Sequence, residues 1–275
     1  MMAAPNGISR IQEGVVLRLC FNRPERKNAI TARMYLALVE GLALAAAATD
    51  IRVVVLQGQP GVFTAGNDLG DFLENPPADE DAPAHRFLAA IHQFPKPLIA
   101  AVSGPAIGIG TTMLLHCDLV YAGEDARFSL PFASLGLCPE AASSLLLPAL
   151  AGYARAAEKL LFGDPFDAEE ARDMGLVNKV VPAAEVLDFA LERARLLARQ
   201  PAASLLHTKR LMRAPLAAQV ARSMAEENQT FRRMLTGPAA REAFSAFMQK
   251  RKPDFSAIEA EAAGDPSGGS VEPRA

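Results

Sequence analysis

The sequence predicts an α/β fold, and three observations carry that prediction. Apolar, β-branched runs alternate with helix-forming stretches through the first 130 residues, which is the pattern of strands and helices interleaved in one unit. The last third is helical in pattern and poorer in glycine. Two glycine-bearing turns, FTAGNDL at 63–69 and SGPAIGIG at 103–110, each follow a predicted strand.

The elements follow in order. Residues 15–21, VVLRLCF, have strand composition, and NRPERKNAI at 22–30 is a polar break with a proline. The stretch 31–48 is rich in Ala, Leu and Met, and Thr31 is suited to cap a helix there. IRVVVLQ at 51–57 is a second strand, ended by Gly58, Pro60 and Gly61. The acidic, proline-rich segment 73–83 reads as a mobile loop, because strand and helix patterns resume after it. A helix over 84–94, a strand LIAAVS and the second glycine turn then lead into a helix over 111–116. Short strands are expected at 118–122 and 126–129. From residue 141 onward the chain is mostly helical, with loops near 163–166 and a strand at 176–181. The final stretch, 257–275, is rich in Ala, Glu, Gly, Pro and Ser and reads as a disordered tail.

A chain of 275 residues suits one globular unit or one domain with a helical appendage. With 28 basic and 31 acidic residues the net charge is −3, which makes no electrostatic case for nucleic acid or an anionic membrane surface. Half the residues are hydrophobic, which argues against global disorder, yet no apolar run is long enough to cross a bilayer. The start, MMAAPNGISR, lacks the basic-then-apolar order of a secretory signal, so a cytoplasmic protein is expected. Cys20, Cys117 and Cys138 are an odd, widely spaced set that reads as buried thiols. The four histidines form no HExxH motif, and no metal is expected.

Glycine lets backbone approach a ligand closely, with N–H groups pointing outward. The second turn also opens a predicted helix, where free N–H groups favour negative charge. Two such turns can supply the two donors of an oxyanion hole. Each is a weak signal alone. Gly108-Ile109-Gly110 is followed by Met113 where a dinucleotide fingerprint needs glycine, and it lacks the Lys-Ser/Thr of a phosphate loop. The residues by themselves support an α/β enzyme with an anion or oxyanion site, with a plain tight connection as the alternative for each turn.

Taken together, NRPERKNAI, FTAGNDL, FPKPLIAAVSGPAIGIG, CDLVYAGEDARFSLPFASLGL and AEEARDMGLVNKVVP resemble, in order and spacing, the crotonase (enoyl-CoA hydratase/isomerase) superfamily over residues 15–255. The resemblance implies a spiral core of ββα turns over 1–200, a helical C-terminal region at 201–256 and the tail at 257–275. It implies a trimer or a dimer of trimers, with acyl thioesters of coenzyme A as substrates and no separate cofactor. The oxyanion donors it implies are the backbone N–H groups of Asn67 and Ile109. Ala65, Gly66, Asp68, Leu69 and Gly108 stand beside them as substrate-binding positions. Asp68 has the alternative of fixing the first turn. Arg26, with Arg23 and Lys27, falls in the segment that family members place near the adenosine-phosphate end of coenzyme A, with a solvated loop charge as the alternative. Lys96 reads as structural or surface, His116 as a core histidine, and Lys209, Arg210, Arg232 and Arg233 as facing either coenzyme A or solvent.

Hydratases of the superfamily carry two glutamates, and the matching positions here hold Thr112 and Phe132. Neither side chain can act as acid or base for water addition. The segment FASLGLCPEAASS instead resembles the peroxisomal-type Δ3,Δ2-enoyl-CoA isomerases, whose single catalytic glutamate corresponds to Glu140, with Phe132 as a wall of the acyl pocket. The family's glycine after that glutamate is Ala141 here. An isomerase with Glu140 as proton shuttle is the leading expectation. Its apolar neighbours Leu137, Pro139, Ala141 and Ala142 would raise its proton affinity. A helix-start carboxylate is the bland alternative for Glu140. A coenzyme A-binding module without catalysis and another thioester chemistry, such as hydration, are the rival functions.

Overall fold

The computed structural model describes residues 6–74, 76–77, 79–256 and 258, so the expected tail at 257–275 lies outside the described residues except for Ile258. The chain opens with an antiparallel hairpin, β1 (Ile8–Glu13) and β2 (Val16–Phe21), paired from Ile8 opposite Phe21 to Glu13 opposite Val16. After a 3-10 turn at Pro24–Arg26 come α1 (Ala32–Ala47) and β3 (Val53–Gln57). Thr31 caps α1 as expected, accepting the Met34 N–H. Next are α2 (Leu69–Glu74), α3 (Pro83–Gln93), β4 (Leu98–Val102), β5 (Pro105–Ile107), α4 (Ile109–Thr112) and a 3-10 turn at Met113–His116. The strands β6 (Leu119–Gly123) and β7 (Arg127–Ser129) precede α5 (Ser143–Ala151), α6 (Tyr153–Phe162), β8 (Phe166–Asp167), α7 (Ala168–Asp173) and β9 (Lys179–Val181). Four helices finish the described chain: α8 (Val186–Leu197), α9 (Ala202–Arg213), α10 (Ala217–Leu235) and α11 (Pro238–Met248).

Two sheets organise these elements. The larger runs β1-β2-β3-β4-β6-β9, parallel from β2 onward, and the smaller runs β5-β7-β8. Two successive turns of the chain leave a strand in the large sheet and then a short one in the small sheet, β4 before β5 and β6 before β7, as in an α/β spiral of ββα turns. Parallel strands covered on both faces need apolar residues on both. In β3, Val54 and Leu56 face the main core while Val53 and Val55 face a second cluster sealed by Val186, Ala190, Leu191 and Ala194 of α8. The main core continues into the C-terminal helices through Val220, Met224, Phe231, Leu235 and Phe244.

Several expectations shift. β1 is not among the expected strands; it is an edge strand with one buried residue, Ile8, and otherwise half-exposed or exposed positions, so it carries little apolar signal. The 73–83 segment is not wholly a loop: Leu73 and Glu74 end α2, and Pro83 opens α3, where a missing N–H costs nothing. The helix after the second glycine turn starts at Ile109 rather than 111 and tightens to 3-10 from Met113. Phe166 belongs to β8 rather than to a loop, and the last strand is only Lys179–Val181.

Two lysines have fold duties. Lys96 Nζ donates to the carbonyls of Ala45 (2.6 Å), Ala48 (2.5 Å) and Ile51 (2.8 Å), which closes the C-terminal end of α1. Lys209 is buried and donates to Asp118 Oδ2 and the Lys96 carbonyl, both at 2.6 Å, while Arg213 reaches Asp118 Oδ1 at 3.1 Å. Burial pushes the Lys209 ammonium down to about 8 against the pull of Asp118. Lys209 thus holds α9 to the sheet rather than facing coenzyme A or solvent. Asp118→Ala leaves two cations without their partner and lowers stability by about 3 kcal/mol in urea unfolding; a loss below about 0.5 kcal/mol would mean the pair is worth no more than a surface contact.

Candidate active site

The two glycine turns are stitched together by backbone. Thr64 N–H donates to the Pro105 carbonyl at 2.9 Å, and Ile107 N–H returns to the Thr64 carbonyl at 3.1 Å. Gly66, at φ +85°, lies so close to the second turn that a Cβ there would sit 2.7 Å from the Ile107 oxygen. A Cβ at Gly110 would sit 2.6 Å from Thr64 Cγ2. Ile30 fixes the far side of the first turn, donating to the Gly66 carbonyl at 2.8 Å and accepting from Asp68 N–H at 2.9 Å. Neither the Asn67 nor the Ile109 N–H has an acceptor among the described residues. Gly108, at φ +54° and ψ −117°, turns the chain into α4, whose first residue is Ile109. The Ile109 side chain is buried in the core, so the main chain alone is presented.

The neighbouring positions divide by duty. Ala65 N–H donates to the Lys27 carbonyl, and Leu69 packs half-buried against the core as α2 begins. The Asp68 carboxylate pairs with Arg23 at 2.5 Å and accepts the N–H groups of Gly70 (3.1 Å) and Asp71 (3.2 Å). It therefore fixes the turn. Arg23 also donates to the Ala29 carbonyl, so it closes the loop rather than reaching outward. Arg26 and Lys27 are exposed, and their side chains have no partner among the described residues. Phe132 is buried in the core cluster with Leu137 and Ala141.

Glu140 stands on the turn before α5. It is 8% exposed, and its Oε1 has no hydrogen-bond partner among the described residues. Burial, and secondarily the Glu227 carboxylate, push its carboxyl up to about 8. Two buried residues after it, Ala141 (φ +63°) and Ala142 (φ +55°), hold left-handed backbone that favours glycine. Each costs about 1 kcal/mol, so outside contacts must impose the turn. His116 donates from Nε2 to the Ala141 carbonyl at 2.8 Å, and burial holds its imidazole neutral, with the pKa lowered to about 4. Glu227 of α10 accepts from Ala142 N–H at 2.6 Å, Ser144 N–H at 2.9 Å and Ser144 Oγ at 2.5 Å. From the other side, Gly136 (φ +66°) packs where a Cβ would meet Ala240 N of α11 at 2.7 Å. Glu140 is not a capping carboxylate: the first turn of α5 carries no acidic residue.

Three functional neighbours escape the sequence reading. Tyr35 of α1 is buried and donates its hydroxyl to Asn67 Oδ1 at 2.5 Å, and burial followed by the Glu140 charge pushes that phenol well above its usual range. Asn28, fully buried at φ +55°, bonds Arg23 N–H and the carbonyls of Val62 and Phe63, tying the 22–30 loop to the first turn. Glu227 is the third. No sequence pattern marks any of them, because Tyr35 meets Asn67, Asn28 meets Val62 and Phe63, and Glu227 meets Ala142 and Ser144 only across the fold. Thr112 Oγ1 and Ser143 Oγ are likewise buried without a partner among the described residues, which marks an unusually polar interior here. The three thiols are unpaired and inert, with Cys117 pushed up to about 12 and Cys138 to about 11 by burial. Among the described residues no group of three or more His, Cys, Asp or Glu side chains could hold a metal, and no helix is long and apolar enough to cross a membrane. A small cavity of about 20 Å³ adjoins Tyr35, lined also by Ile30, Asp71, Phe72, Pro77 and Ala82. A larger one of about 620 Å³, between the end of α3 and α9, includes none of these site residues.

The chain is similar to known proteins over most of its length. A family model described as "Enoyl-CoA hydratase/isomerase" matches residues 10–258. The 2,3-dehydroadipyl-CoA hydratase of Escherichia coli K12 is 37% identical over 251 residues, covering 90% of this chain and 97% of that one. Enoyl-CoA delta isomerase 2 of Rattus norvegicus is 40% identical over 214 residues, 75% of this chain and 54% of that protein. Among solved structures, Pseudomonas aeruginosa OdaA superposes with a TM-score of 0.86 at 46% identity, covering 88% of this chain and 98% of that one.

Proposed function

The chain belongs to the enoyl-CoA hydratase/isomerase family, the crotonase superfamily, and from that premise we propose that it is a Δ3,Δ2-enoyl-CoA isomerase. Family membership makes it an acyl-CoA enzyme; the direction of its chemistry rests on one observation. Glu140 is a buried carboxyl with a free oxygen and a raised proton affinity, while Thr112 and Phe132 occupy the positions where hydratases of the superfamily resemble one another by their glutamates.

The mechanism needs one base. Glu140 takes a proton from C2 of a 3-enoyl thioester. The charge that develops on the thioester oxygen meets the N–H groups of Asn67 and Ile109, preorganised by the stitched turns. The same carboxyl, now protonated, returns the proton at C4, and the double bond ends between C2 and C3. A base tuned toward neutral pH suits both halves of this exchange. Phe132 forms part of the apolar wall for the acyl chain. Arg26 and Lys27 are free to meet the phosphates of coenzyme A.

The test is a paired assay of the purified protein with a 3-enoyl-CoA and a 2-enoyl-CoA, following the conjugated thioester by absorbance. The isomerase reading expects absorbance to rise with the first and hold steady with the second. Loss of absorbance from the 2-enoyl substrate, with no rise from the 3-enoyl one, would make the protein a hydratase, the activity named for its E. coli relative.

A further inference from the structure

Among the described residues, Glu140 and Glu227 are the buried carboxyls, at 8% and 7% exposure. The proposed chemistry uses one of them and leaves the other unexplained. The two have opposite surroundings. Glu140 Oε1 has no donor among the described residues. Glu227 is met by the N–H groups of Ala142 and Ser144 and the Ser144 hydroxyl, at 2.6, 2.9 and 2.5 Å, and by the Ser223 hydroxyl of its own helix. Two carboxylates within reach of one another in a low-dielectric interior do not both ionise readily, and the member with hydrogen-bond donors keeps the charge. The bonds Glu227 accepts also fall on the turn that needs holding, because Ala141 and Ala142 are both in left-handed backbone and fully buried.

We infer that Glu227 is a positioning residue for Glu140: it clamps the 140–144 turn onto α10 through three hydrogen bonds and, through them, carries the negative charge of the buried carboxyl pair. Glu140 is left as the member of the pair that binds its proton more tightly, and in its ionised form it has an oxygen free to act on substrate. Burial raises Glu227 as well, but its donors pull it back, whereas nothing pulls Glu140 back. The other titratable groups around Glu140 do not substitute for this pairing. Tyr35 on α1 is neutral, Cys138 on the same loop is a neutral thiol, and His116 is neutral and committed to the Ala141 carbonyl.

The kinetic part of this inference rests on the isomerase reading; the pairing does not. The experiment is a carbon-13 NMR titration of the glutamate side-chain carboxyls of the full chain, with the Glu140 signal assigned by its disappearance in Glu140→Gln. Wild type is expected to titrate Glu140 near 8. Glu227→Gln brings that midpoint down by about one unit or more, toward the ordinary carboxylate range. Ser144→Ala removes one donor from Glu227 without touching either carboxyl, keeps the backbone bonds, and moves the Glu140 midpoint the same way by less. It decides the matter if Glu227→Gln does not fold. In the 3-enoyl-CoA assay, Glu227→Gln loses about tenfold or more in kcat at the pH plateau with KM within about threefold, the signature of a displaced base. A Glu140 midpoint that stays put in both variants, or a high midpoint that belongs to Glu227 instead, overturns the inference. A wild-type protein without isomerase activity whose Glu140 midpoint still falls in the variants would sink the isomerase reading and leave the pairing intact.

Discussion

Glu140→Gln lowers kcat for 3-enoyl-CoA isomerisation by about 10³-fold or more, with little change in KM. The amide keeps the shape of the side chain and cannot take the C2 proton, while the Asn67 and Ile109 donors and the acyl pocket stay in place. The same substitution stabilises the fold at high pH. In the folded chain the Glu140 carboxyl is pushed from 4.5 to about 8, so between those values the folded state keeps a proton that the unfolded state has released. Its contribution to stability therefore falls as pH rises through that window. Glu140→Gln escapes the penalty and is expected to gain about 1–3 kcal/mol over wild type at pH 8, part of the relief being offset by the amide's own unmet donors. Urea unfolding at pH 5 and pH 8 measures the difference. A variant equally destabilised at both pH values, with kcat down less than about tenfold, would show Glu140 to be a packing residue.

The second large effect is at the first turn. Gly66→Ala puts a methyl 2.7 Å from the Ile107 oxygen, at a φ of +85° that L side chains rarely adopt. The contact is with backbone, so no side chain can swing away to relieve it. The two turns must part, and with them the N–H groups proposed to share the developing charge. Loss of an aligned oxyanion donor costs about 10²–10³-fold in kcat, and the strained backbone adds about 1–3 kcal/mol of destabilisation. Substrate affinity should change far less than turnover. If kcat survives within about threefold in a folded Gly66→Ala protein, the stitched turns are not where the thioester oxygen binds.

The sequence made the scaffold readable where periodicity is strong and local. α1 with its Thr31 cap, β3, β4 and β6 lie close to their expected places because each is a run of apolar residues bounded by polar or glycine punctuation. The short strands were harder. β5 has three residues inside a glycine turn and β8 has two, so neither is long enough to show alternation. The proposal of Asn67, Ile109 and Glu140 as the reacting groups rests on motif resemblance, since a backbone N–H leaves no residue-type signature and one carboxylate near an apolar run has a bland reading. Tyr35, Asn28 and Glu227 were not legible, because their importance lies in contacts made across the fold. For Asp68 the sequence leaves two readings open, a substrate contact or a fixed turn, and its carboxylate is engaged by Arg23 and by the start of α2.

The central claim is that a single buried carboxyl with a raised proton affinity takes the C2 proton. Its most direct test is the pH dependence of kcat/KM for a 3-enoyl-CoA, which reports the free enzyme's essential groups. A base that must be ionised, with Glu140 titrating at about 8, predicts a rate that climbs about tenfold per pH unit through the acid side and levels off above that value. A profile already flat from pH 5 upward, or one that falls as Glu140 loses its proton, would contradict the assignment of Glu140 as the base.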